Sequence, residues 1–89
     1  MPKYILWGSY CDNVLEKRAP YRQAHLDRLN ELKQSGVVIT IGPTKDLTMV
    51  FGVYEAEDEA AARQYVEEDP YWQHGIWTEY HLKEWIQAF

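Results

Sequence analysis

A chain of 89 residues has room for one domain and a single core. Its 46% hydrophobic and 26% charged residues exclude a disordered chain, and its net charge of −5, nine basic against fourteen acidic side chains, argues against a nucleic-acid partner. Cys11 is the single cysteine and forms no intramolecular disulfide, and no apolar run reaches the roughly 20 residues that cross a bilayer, so the expectation is a cytoplasmic protein with no membrane partner.

In chain order, residues 3–10 (KYILWGSY) are rich in β-branched and aromatic side chains and predict a first strand. Asp12 and Asn13 offer N-cap side chains ahead of Val14 and Leu15. Pro20 suits a first helical turn, so the main helix is predicted over residues 20–35, with Gly36 as its C-terminal stop. Residues 37–41 (VVITI) predict a second strand ended by Gly42-Pro43, and residues 47–54 a third. A second helix over residues 57–68, with Ala60, Ala61, Tyr65 and Val66 apolar, is stopped by Asp69-Pro70. Residues 77–86 predict the fourth strand. The order βαββαβ across residues 1–89, without linker or repeat, predicts an α+β ferredoxin-like fold: a four-stranded antiparallel sheet with two helices on one face.

Side chains alternate between the faces of a strand. The first strand divides into Tyr4, Leu6, Tyr10 and Ile5, Trp7; the third into Leu47, Met49, Phe51, Val53 and Val50, Tyr54. The fourth divides into Trp77, Trp85 and Tyr80, Leu82, Ile86, and Met49 is assigned to the core. Both sets are apolar, whereas a sheet with one wet face alternates apolar with polar. Two helices cover only one face, so a second copy is expected on the other: a homodimer packed sheet against sheet. Four Trp, seven Tyr and two Phe, 15% of the chain, add to the surface that needs covering.

On the main helix Leu26, Leu29 and Leu32 define the stripe predicted to face the sheet. Towards the N-terminus that stripe reaches His25 and Arg22, and Arg18 continues its line. Inward-facing cationic or titratable groups need partners or water, which points to a polar pocket at this end of the helix. Two plainer readings stand beside it: Arg22 paired at the rim with His25 bonded to a backbone carbonyl, and Asp69 capping a short turn with Pro70 at its first position. His74 and His81 do not converge and cysteine is single, so no metal site is expected.

The ordered set Arg18-x3-Arg22-x2-His25-Leu26, Gly36, Gly42-Pro43, Asp69-Pro70-Tyr71, Gly75 and Trp85 resembles the YCII (YciI-like) family over essentially the whole chain. The resemblance implies the dimeric α/β-barrel form of the ferredoxin-like fold. It also implies a His–Asp pair in a cleft, here His25 and Asp69, with Arg22 and Arg18 as anion-binding groups. The connection from Gly42-Pro43 to the third strand is short beside those of many relatives, which alters any pocket wall it forms. The resulting expectation is a small enzyme without cofactor, in which His25, oriented by Asp69, moves a proton in a proton transfer, elimination or hydrolysis of a small cyclic or aromatic acid. Arg18 and Arg22 would hold the anion, and Tyr71, with Tyr21 and Trp72, would supply an aromatic wall. The rival is a non-catalytic small-molecule-binding or accessory homodimer using the same pocket.

Overall fold

The computed structural model describes residues 1–89, and their elements follow the order β1 (Lys3–Tyr10), α1 (Val14–Lys17), α2 (Arg22–Gln34), β2 (Val38–Pro43), β3 (Met49–Glu55), α3 (Glu59–Glu67), α4 (Pro70–Gln73) and β4 (Trp77–Trp85). The four strands form one antiparallel sheet in the spatial order β2-β3-β1-β4. This is the ferredoxin-like arrangement, with two single helical turns, α1 and α4, added to the two predicted helices.

Helix boundaries follow from local chemistry. A turn closed by the Tyr21 N–H donating to the Arg18 carbonyl at 2.9 Å holds Pro20 outside α2, which starts at Arg22 rather than at the proline. At its other end Gly36 takes φ +84°, so that the Val37 N–H reaches the Leu32 carbonyl and the Gly36 N–H the Lys33 carbonyl. Asp58 caps α3, its side chain accepting from the Ala61 N–H at 2.8 Å. In the β2–β3 turn one oxygen of Asp46 accepts from the hydroxyls of Thr44 and Thr48 and from the Thr48 N–H, and these bonds hold its carboxyl below the usual carboxylate range.

The core lies between the sheet and its helices: Tyr4 and Leu6 of β1, Val50 and Tyr54 of β3, Leu82 of β4 and Val38 of β2 meet Ala62 and Val66 of α3 and Tyr71 of α4. Gly8 follows Tyr4 and Leu6 along β1, and a Cβ there would stand 2.3 Å from the Glu79 carbonyl oxygen, so the position requires glycine. No helix is long and apolar enough to cross a membrane.

Four expectations about faces need correcting. The register of β1 against β4 shifts between Ser9, opposite Glu79, and Tyr10, opposite Trp77. Thr78 therefore bulges, and Trp77 turns onto the helix side with Leu82 instead of sharing a face with Trp85. Ile86 lies beyond the strand and is exposed. The inward stripe of α2 keeps His25, Leu29 and Leu32 but takes in Arg28, turned by about half a residue step from the predicted one, so that Leu26 and Arg22 are exposed. Met49 is also exposed, on the side of the sheet without helices that Phe51 and Trp7 share.

Candidate active site

His25 and Asp69 stand 44 residues apart in sequence and meet between α2 and the start of α4, the His25 Nδ1 lying 2.7 Å from Asp69 Oδ1. Asp69 is fully buried and His25 is 6% exposed. Two local features aim the carboxylate. Asp69 is the N-cap of α4, with Pro70 at the first helical position, and the same Oδ1 accepts the Tyr71 N–H at 2.8 Å. The capping and the pairing readings are therefore both satisfied by one oxygen.

An oxygen that already accepts a backbone N–H is an acceptor towards the imidazole as well. This assigns the proton between the two side chains to His25 Nδ1 and leaves a lone pair on Nε2. Nε2 makes no hydrogen bond within the chain and is not among its fully buried, unpartnered polar atoms, so it is the ring nitrogen that solvent or a ligand can reach.

Aromatic rings fix the plane of the imidazole. Tyr71 stacks on His25 with centroids 3.6 Å apart and planes 6° from parallel, and Trp77 meets its edge at 5.6 Å. One turn earlier, at the N-cap of α2, Tyr21 stacks in the same way on His74 at 3.9 Å. Burial raises the pKa of Tyr71, against the lowering effect of the nearby Arg18 and Arg22 guanidiniums. Burial also raises that of Tyr10, which the indole of Trp77 partly offsets without a hydrogen bond of ordinary geometry. Both phenols stay neutral near pH 7, so they can donate but cannot act as bases.

The other expected site residues are distributed unevenly. Arg18 is half-buried beside Tyr10 and Tyr71, and Arg22 is exposed at the first turn of α2. Tyr71 is 2% exposed, its ring face occupied by the imidazole. Arg28 was not anticipated. Its Nη1 lies 3.6 Å from Asp69 Oδ2, its Nη2 donates to the Tyr65 carbonyl at 2.8 Å, and its side chain is 20% exposed. The signal for it was the spacing His25-x2-Arg28, which puts both on one helix face.

A cavity of about 520 Å³ opens beside this cluster, lined among others by Cys11, Lys17, Tyr21, His74 and Ile76 but not by His25 or Asp69. No three His, Cys, Asp or Glu side chains converge to hold a metal ion.

Fold and side-chain geometry define a class: a ferredoxin-like α+β domain with a buried imidazole–carboxylate pair beneath one helix end. Within that class the chain belongs to the YCII-related domain family, whose model matches residues 2–86. It is 26% identical to an uncharacterized protein of Haemophilus influenzae and 28% identical to Protein YciI of Escherichia coli, each over 97% of this chain and 98% of the relative. Both alignments span 96 positions against a chain of 89 residues, so these relatives carry residues that this chain does not. Among solved structures it resembles 5-chloro-2-hydroxyhydroquinone dehydrochlorinase (TftG) of Burkholderia phenoliruptrix, determined in complex with 2,5-dihydroxybenzoquinone. The TM-score is 0.83 at 25% identity, covering 97% of this chain and 95% of that one.

Proposed function

We propose that the protein is an acid–base enzyme in which His25 Nε2 takes a proton from, and returns it to, a small cyclic or aromatic acid. The observation that carries this reading is the buried 2.7 Å contact between His25 Nδ1 and Asp69, which leaves Nε2 as the unpartnered base. Asp69 fixes the tautomer and offsets the charge of the imidazolium once Nε2 is protonated. Arg18 and Arg22 lie close enough to Tyr71 to act on its hydroxyl and would hold the anionic group of the substrate, and Tyr71 would keep the imidazole in the plane of transfer.

A relative that removes HCl from a chlorinated hydroxyhydroquinone supports elimination among the possible reactions. In such a step Nε2 takes a ring hydroxyl proton and returns it to the chlorine-bearing carbon, giving the keto tautomer; a second ring hydroxyl then loses its proton, its O–H electron pair forms the second carbonyl, and chloride leaves with the carbon–chlorine pair. Arg22 or Arg18 would stabilise the phenolate that develops on the way.

The test is chloride release and mass change with chlorinated hydroxyhydroquinones and related aromatic acids, comparing the unaltered chain with His25→Ala. Removing the base is expected to lower the rate by about 10²–10⁴-fold with the fold retained; an equal rate removes the proposal. A second reading rests on the roughly 520 Å³ cavity that neither His25 nor Asp69 lines: a module that binds an anion without turning it over. Ligands that raise the melting temperature but come back unchanged would favour it.

The reading includes a homodimer formed through the face of the sheet that lacks helices. Trp7, Met49, Phe51 and Trp85 present apolar surface there, with Phe51 48% exposed. Light scattering is expected to give twice the 10.6 kDa chain mass. A cytoplasmic location completes the proposal, on the strength of one unpaired cysteine.

A further inference from the structure

We infer that Arg28 is a positioning residue of the His25–Asp69 pair, its charge setting which way the Asp69 carboxylate faces; this rests on the acid–base reading above. Arg28 sits three residues after His25 on α2, so both point at the same neighbour. Asp69 divides its oxygens between them. Oδ1 takes the imidazole and the Tyr71 N–H, while Oδ2 has no hydrogen bond and faces Arg28 Nη1 at 3.6 Å.

Arg28 Nη1 is likewise buried without a hydrogen-bond partner, which makes Asp69 its principal electrostatic neighbour. The other half of the guanidinium is anchored: Nη2 donates to the Tyr65 carbonyl, one of the last acceptors of α3, and lies 3.8 Å from Glu68 Oε1. A cation at that helix end complements the α3 dipole. The fork thus ties α2 to the end of α3, two residues before the carboxylate it orients.

The charge count has a chemical consequence. Asp69 alone would neutralise a protonated His25, whereas with Arg28 present the three groups carry a net +1 once Nε2 gains a proton. Arg28 thus balances the Asp69 charge from the side away from the imidazole. Glu68, 54% exposed on its side chain, adds a solvent-screened negative charge at the rim, and the Tyr54 hydroxyl, buried and unpartnered, faces the same cluster without charge.

The experiment follows the His25 Nδ1–H resonance by NMR in the unaltered chain, Arg28→Gln and Arg28→Lys. Glutamine keeps a donor for the Tyr65 carbonyl but removes the charge; lysine keeps the charge. The downfield Nδ1–H signal is expected to be lost in Arg28→Gln and retained in Arg28→Lys, with sheet amide resonances in place in both. A purely structural staple would lower the melting temperature and leave the signal intact. Persistence of the resonance in Arg28→Gln, or its loss in Arg28→Lys, overturns the inference. The acid–base reading fails separately, by undiminished turnover in His25→Ala.

Discussion

The two faces of the sheet handle polar groups in opposite ways. On the helix side, Asp69, His25 and Arg28 are withdrawn from water, and the charges oppose one another within 3.6 Å. On the other side, Glu79 lies across β1 and β4, accepting from Ser9 Oγ at 2.6 Å and lying 2.8 Å from His81 Nε2, while both side chains stay half in water. Trp7 stacks on His81 at 5.2 Å, beside this cluster stand the exposed Phe51 and Met49, and Trp85 is exposed further along the same face. A buried charge has to be partnered within the chain, whereas an apolar face left in water has to be partnered from outside it. The helix side partners its charges within the chain, and the open side has the character of an interface.

The difference can be broken at either face. Phe51→Asp would place a charge in the proposed sheet-to-sheet contact, and two such charges across a two-fold would meet their like, a cost of several kcal/mol in association. Light scattering is expected to show monomer while circular dichroism stays unchanged; a dimer that survives the substitution contradicts the interface. Asp69→Ala acts on the opposite face. It strands the Arg28 charge, removes the cap of α4 and takes away the partner of a buried imidazole, and it is expected to cost about 3–5 kcal/mol in urea denaturation, like other broken buried pairs.

Tyr54→Phe removes a buried hydroxyl that has no partner, so stability at pH 7 is expected to change by no more than about 1 kcal/mol. Its effect emerges at alkaline pH. Burial raises the pKa of Tyr54, and burial together with the Glu67 contact pushes that of Tyr80 up to about 12. Below the unfolded value near 10 their contribution is fully present; above it the unfolded chain holds fewer protons than the folded one, so stability falls as pH rises through the folded values. Denaturation midpoints are expected to decline from about pH 10 upward, and Tyr54→Phe is expected to make that decline gentler.

Much of this was legible in the sequence because it rests on local rules. The βαββαβ order follows from strand composition and punctuation, and Gly36 marks the end of α2 because its positive φ has a simple chemical meaning. Asp69-Pro70 spelled a helix start, and the resemblance to the YCII family paired Asp69 with His25. What escaped depends on partners. A bulge at Thr78 exists only in the pairing of β4 with β1, so alternation alone put Trp77 on the wrong face. The rotation of α2 is decided by what α3 and α4 offer: Arg28 finds the Tyr65 carbonyl and Asp69, and Leu26 and Arg22 turn outward as a result. A leucine stripe read at 100° per residue cannot choose between neighbouring settings when a buried arginine has better partners than a leucine has.

The central claim is that His25 Nε2 is the atom that moves the proton. It is tested most directly by single-turnover rates of the unaltered chain and of His25→Asn, in which the fold is held and the base removed, on the ring acid that the screen identifies. A fall of about 10²–10⁴-fold in the chemical step with ligand affinity preserved is the predicted result. Equal single-turnover rates in the two proteins would contradict it.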